Sequence, residues 1–450
     1  MNRWHQLLLG ATPLVLGAEA ALAQAKTAKT AASSPQGPRF EVDMLWPKPM
    51  PNRWILGSAT GVAIDSRDHI YVLSIPDYFT ARTEIGSATN PPTGECCTPT
   101  PPVVEYDASG ALVGHWGGPA DGAQWPAQAA RIAIDPKGNF WIGGAGGNDT
   151  RVVRFSREGK YLGEIGKAGA AAPAATQAAA TPDTAYTGVS RGGAGRAGFQ
   201  TEAAAGRGGA GRGRGGRGAA GPPPLPPNNA SLEMFGGAMG FAFDASANEA
   251  FVADGSRNHR VAVVDINTGA IKRVWGAYGN KPDDAPAAKY SPSGPPSQQF
   301  GVVSCAELSK DGMVYVCDRT NDRIQVFKKD GSFVKEKTVA PSTLAEGSVW
   351  DIAFSHDPQQ KYLYVADGAN QKIWILDRSS LEVISSFGDG GRQPGEFYAV
   401  NAIATDSKGN IYTGETREGK RLQKFNFKGI GPVTKQNAGV VWPKAVGGKP

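Results

Sequence analysis

VYVCDRTNDRIQVFKKDGSFVKEK, residues 314–337, runs from an apolar strand through Asp and a polar turn to Arg, a second apolar strand, a Lys-Asp-Gly turn and a third strand. Its alternation of β-branched and aromatic residues between Gly, Asn and Asp turns is the signature of antiparallel hairpins. Close copies start at Phe140 (FWIGGAGGNDTRVVRFSREGKYLGEI), Ala250 (AFVADGSRNHRVAVVDINTGAIKRVW) and Leu363 (LYVADGANQKIWILDRSSLEVISSF). Repetition at this spacing decides the architecture before any local propensity does.

Working outward, each copy is preceded by one more short apolar strand and a polar turn: VAIDSRDHIYVL, IAIDPKGNFWIG, FAFDASANEAFVA, AELSKDGMVYVC, IAFSHDPQQKYLYVA and IATDSKGNIYTG. Six units result, at about 54–118, 123–168, 234–280, 300–340, 344–390 and 396–430. Four strands per unit at a period of about 40 to 50 residues predict an all-β, six-bladed β-propeller of four-stranded antiparallel blades. The last unit supplies only three strands, ending in RLQKFNF. The missing outer strand lies at the other end of the chain, in PRFEVDMLWPKP, residues 38–49. Pairing it with the last blade closes the ring and removes an exposed sheet edge. Trp116, Trp275 and Phe387 recur at the ends of outer strands and are expected to wedge between neighbouring blades.

The rest of the 450 residues divides around this ring. Arg3, the apolar run Leu7 to Ala18 and the small residues Ala21-Leu22-Ala23 read as a secretory signal, cleaved near Ala23, and so as export to the periplasm or the medium. A polar linker at 24–37 and a tail at 431–450 flank the propeller, residues 38–430. The formal net charge is +6, and much of it falls in Gly188–Gly221, an Arg-Gly-rich part of an Ala/Gly/Arg/Pro insertion at about 168–230. With few hydrophobic residues to bury, that insertion is expected to be disordered. It is read as a solvated loop with no nucleic-acid partner. No apolar run of about 18 residues lies beyond the N-terminus, so the folded part carries no membrane-spanning helix, and the chain is read as a monomer.

Four cysteines are too few for a disulfide scaffold at this length. Cys305 and Cys317 flank the turn Lys310-Asp311-Gly312, which sets them opposite each other on one face, so a disulfide is expected there. For the adjacent Cys96 and Cys97, mutual bridging, free thiols and pairing between chains all remain open.

VCDRTNDRIQVF matches throughout, and VADGSRNHRVAVV and VADGANQKIWIL in part, the pattern V-x-D-x-x-N-x-R-I-x-x-F of NHL repeats, which these units resemble. The resemblance implies that Asp254, Asp318 and Asp367 accept backbone N–H groups in the turn to the third strand. Arg260, Arg323 and Lys372 then lie nearby as partners. Across most of the propeller the chain is similar to peptidylglycine α-amidating lyases. That likeness implies a channel zinc held by three histidines at the starts of alternate innermost strands. The matching positions here are Ala130, Ser304 and Asn401, none of them His. The family's channel Arg falls near Ile75 and its catalytic Tyr near Ser256; the Arg of the turn motif is kept as Arg319. The resemblance therefore supports the fold and speaks against that lyase chemistry. The five histidines, His5, His69, His115, His259 and His356, are not spaced to converge on one metal, so no cofactor is predicted and neither zinc nor calcium is supported.

No H-E-x-x-H, P-loop or G-x-G-x-x-G between a strand and a helix occurs, and the G-x-S-x-G string at 188–192 falls in the Arg-Gly-rich insertion. What remains is the axial mouth, where the innermost strands begin: Thr60, Ala130, Met239, Ser304, Trp350 and Asn401 form an uncharged ring. The leading reading is a ligand-binding or protein-interaction module that takes a small molecule or protein at Thr60, Ser304, Trp350, Asn401 and Arg260. The rival is a lyase or hydrolase with a rebuilt channel site, in which Arg319 supplies electrostatic stabilisation and Asp318 acts as acid or base.

Overall fold

A computed structural model of the chain describes residues 34–76, 79, 82–89, 91–118, 125–168 and 225–434. The signal at 1–23, nearly all of the insertion and the tail from 435 onward lie outside these residues. From Gln36 on, the described chain forms six four-stranded antiparallel sheets. Their innermost strands are Ser58–Ile64, Ala129–Ile134, Ala238–Asp244, Val303–Leu308, Asp351–Phe354 and Val400–Thr405. Among the described residues no helix is long and apolar enough to cross a membrane.

The sixth sheet joins the two ends of the chain. Its order from the rim inward is Gln36–Val42, Arg421–Pro432, Ile411–Glu415 and Val400–Thr405. Phe40 pairs with Phe427 and Val42 with Phe425. The closing strand is shorter than the sequence suggests, because the chain turns after Val42. Trp46, which resembled the outer-strand tryptophans, lies past that turn. It packs on Tyr412 of the sixth blade and Tyr106 of the first, with ring centroids 5.0 and 5.8 Å away.

In four blades the polar turn between the first and second strands repeats one chemistry. Asp135 accepts the backbone N–H groups of Lys137 and Asn139, and Asp406 those of Lys408 and Asn410. The carboxylate thereby replaces the partners that a tight turn leaves unsatisfied. Aromatic wedges then lock blade to blade. Trp116 meets Phe140 and Phe155 of the second blade at 5.1 and 5.2 Å, and Trp275 meets Phe327 of the fourth at 6.0 Å. Phe387 meets Phe425 of the sixth at 5.0 Å. Cys305 and Cys317 are direct cross-strand partners and are disulfide-bonded, Cα atoms 4.9 Å apart. Cys96 and Cys97 are bonded to each other, which settles the open alternatives in favour of mutual bridging.

Candidate functional site

The six ring positions sit where the innermost strands leave regular pairing. In five blades the register shifts across the ring residue: Thr60, Ala130, Met239, Ser304 and Asn401 are each bypassed by the ladder. A bulge of this kind re-aims a side chain. Here it turns Thr60, Ser304 and Asn401 toward a neighbouring blade. Thr60 Oγ1 donates to Ala129 O at 2.9 Å, Ser304 Oγ to Val349 O at 3.1 Å, and Asn401 Nδ2 to Thr60 O at 2.9 Å. Thr60, Ser304 and Trp350 are buried. The indole of Trp350 donates to Gly347 O at 2.7 Å. The Arg319 guanidinium stacks on it, 3.5 Å from the ring centroid. Arg319 also bonds Glu346, whose other oxygen pairs with Arg417 at 3.0 Å. Burial pushes the Arg319 guanidinium down to about 9, with the Glu346 carboxylate opposing that shift.

The positions matched to the repeat pattern divide. Arg260 and Asp254 form a fully buried pair at 2.7 Å, and Arg323 and Asp318 one at 2.8 Å. Arg260 spends its other donors on Asn229 O, Ser231 O and Met234 O. Lys372 departs from the pattern: its ammonium goes to Asp389, and Asp367 takes Asn370 and Trp374 instead. Only Asp367 accepts N–H groups from the turn to the third strand, those of Ala369 and Asn370. Asp254 and Asp318 bond Gly236 N and Gly301 N, in the segments entering their own blades, at 2.6 and 2.8 Å. These two carboxylates therefore pin the blade entrance. Of the positions matched to the lyase family, Ile75 pairs in the sheet with Ser58, and Ser256 donates to Ala145 O.

Beside this network lies a strained carboxylate. Asp322 is completely buried in the left-handed region, φ 53°, and its Oδ1 accepts Ser348 N at 2.8 Å. Its Oδ2 has no partner. Burial pushes the carboxyl up to about 7, with Asp367 and Asp318 adding to the rise against the Ser348 hydrogen bonds. A raised acid binds its proton more tightly folded than unfolded, so stability falls as the pH rises from the unfolded value near 4 through about 7. Asp322→Asn, which tolerates the same backbone, is expected to exceed the parent by about 1–3 kcal/mol at pH 8 and to match it at pH 5. Thermal unfolding at the two pH values checks this. An equal gap at both would show that the ionised carboxyl is not the cause.

The charge at the hub lies just past the ring and was missed by the sequence reading. Arg131 reaches into the axis from the second blade. Its Nη1 bonds Asp351 Oδ2 of the fifth blade at 2.6 Å, Nε bonds Met239 O at 2.9 Å and Nη2 bonds Ser304 O at 3.3 Å. Asp351 Oδ2 also accepts Ile403 N of the sixth blade at 2.9 Å. One guanidinium thus ties blades two to five, and its counter-ion ties the sixth. Both groups are buried. Arg131, Glu307 and Asp351 each put a charge on an innermost strand whose neighbours are small or apolar, and that was the available signal.

Beyond this plug, a cavity of about 490 Å³ follows the axis toward the turns between first and second strands. Val62, Ile132, Phe241, Phe243, Ile352 and Phe354 contribute to its walls. Glu307 lines it beside the plug and makes no hydrogen bond or ion pair with a described residue. Burial, reinforced by the Asp351 carboxylate and opposed by Arg131, pushes the Glu307 carboxyl well above its ordinary value. Lys310 and His356, both exposed, stand at the open end. Among the described residues no three His, Cys, Asp or Glu side chains gather to hold a metal ion. His69 bonds Glu105, His115 packs on Trp54, and His259 bonds Gly301 O.

No protein-family model matches this chain, and no curated protein matches it in sequence. Solved structures similar to it include a catalytically inactive variant of virginiamycin B lyase from Staphylococcus aureus with quinupristin. It is 12% identical at a TM-score of 0.40, over 86% of this chain and 89% of that one. A streptogramin B lyase structure is 10% identical at 0.43, over 87% and 98%. A structural genomics protein of unknown function from Bacteroides thetaiotaomicron is 12% identical at 0.45, over 87% and 76%. Likenesses this low add nothing to the reading of the site.

Proposed function

We propose that this chain is an exported NHL-type propeller that binds a small ligand in its axial cavity. The observation that carries the reading is the cavity itself: Val, Ile and Phe side chains stand in its walls, and beside the plug it is lined by Arg131, Asp351 and a Glu307 carboxyl that bonds no described residue. Concave sites that set a few convergent polar groups among apolar side chains are the usual form of a small-molecule site. The ring above the plug plays a different part. Thr60, Ser304 and Asn401 spend side-chain hydrogen bonds on neighbouring blades, so they hold the hub in shape around the site. Arg260 supports the blade entrance in the same way. The alternative, a lyase or hydrolase related to peptidylglycine α-amidating lyases, draws less support. Asp318 is fully buried on Arg323, Asn321 and Gly301, and Arg319 is held between Trp350 and Glu346.

A thermal-shift screen of a small-molecule fragment set tests the binding reading, with the parent run beside Ala404→Phe. Ala404 lines the cavity, and a benzyl group there occupies part of it. The parent is expected to respond to fragments that leave the variant unmoved. Identical response profiles would place any binding elsewhere.

A further inference from the structure

The polar groups at the closed end of the cavity are unequal. Arg131 has committed Nε, Nη1 and Nη2 to Met239 O, Asp351 and Ser304 O. Asp351 is held by Arg131 and by Ile403 N. This pair neutralises itself. Glu307 is left over: an acid beside the plug in the channel wall, with no described residue to receive or supply its hydrogen bond. A ligand has only this group to recognise there by charge.

We propose that the cavity takes an organic ammonium ligand, which enters ammonium-first and pairs with Glu307; this rests on the reading of the cavity as the binding site. An anion finds no free cation at the closed end and meets an acid instead. An uncharged ligand gives the carboxyl only a neutral hydrogen bond, the weaker class. An ammonium makes a charge-assisted pair, the stronger class of hydrogen bond. Phe241, Phe243 and Phe354 in the surrounding wall suit a cation as well as its apolar body. As the ammonium arrives, the Glu307 carboxyl, held neutral by burial and Asp351, gives its proton to solvent, and carboxylate pairs with ammonium. Lys310 at the open end opposes a second positive charge on the outer part of the ligand. Monoamines and zwitterions with the amine innermost are therefore favoured over diamines.

Isothermal titration calorimetry at pH 8 with hexylamine, hexan-1-ol and hexanoate tests the class of ligand. The parent is expected to bind hexylamine at least about tenfold more tightly than hexanol, and hexanoate more weakly still. Glu307→Gln should lose at least about tenfold for hexylamine and leave hexanol unchanged. Equal binding of amine and alcohol, an unaffected Glu307→Gln, or no amine binding would overturn the inference. Trialanine amide beside hexylamine separates the two sources of such a group: tighter binding of the peptide assigns a peptide N-terminus, and tighter binding of hexylamine a free alkylamine. Ala404→Phe keeps the two levels apart. If it weakens binding of hexylamine and hexanol alike, the cavity is the site whatever the chemistry of its occupant. If it weakens neither, the cavity reading itself fails.

Discussion

Arg131→Leu is expected to lower the stability of the propeller by about 3–5 kcal/mol, the cost of leaving a buried charge without its partner. Asp351 would stay behind in the hub with only Ile403 N as a donor, and Met239 O and Ser304 O would lose theirs. The double variant Arg131→Leu, Asp351→Leu removes the stranded charge and should recover most of the loss, since a buried pair replaced by apolar groups of similar volume is often close to neutral. Chemical unfolding of the parent, both single variants and the double variant forms the cycle. Simple addition of the two single losses would show that the groups do not act as a pair. The sign with pH follows from Asp351, whose carboxyl burial already holds above its ordinary value against the opposing pull of Arg131. Without Arg131 it rises further. The folded single variant then holds its proton where the folded parent has released it, so its deficit against the parent should widen once the pH passes the parent's own raised Asp351 value.

Phe40→Ala is expected to cost about 3–5 kcal/mol by the same measurement. Phe40 is fully buried, with Tyr364, Phe387 and Phe427 at ring-centroid distances of 5.5, 5.6 and 5.8 Å. It stands on the strand that closes the ring, so the cavity it leaves opens between the fifth and sixth blades. Its loss should also raise hydrogen exchange selectively in Gln36–Val42 and Arg421–Pro432, whose mutual pairing seals the circle. A loss below about 1 kcal/mol, with exchange unchanged in those strands, would mean that closure does not depend on this side chain.

The repeat made the blades legible. Short apolar runs between Asp, Asn and Gly turns state strand and turn locally, because both depend on residues a few positions apart. The same locality set Cys305 opposite Cys317, where a three-residue turn leaves little choice of register. Closure was legible for a different reason: one blade lacked a strand, and the other end of the chain carried a spare one. The extent of that strand was not legible, since Trp46 looks the same in sequence whether it ends a strand or fills the seam between Tyr106 and Tyr412. The Asp and Arg positions of the blade motif were read correctly as neighbours at Asp254 and Asp318. Lys372 broke the rule because Asp389 offered its ammonium another carboxylate.

By itself the sequence determined six blades, their strand order, the seal between the chain ends and the ring at which the innermost strands begin, all consequences of periodicity and near-neighbour chemistry. Only the tertiary structure decided what the hub does. Arg131 and Asp351 stand 220 residues apart and meet across an axis that no local pattern describes. Their pairing ties five blades together and leaves Glu307 on the cavity wall without a described partner, because what a charge on an innermost strand does is defined by whatever the opposite blades place against it.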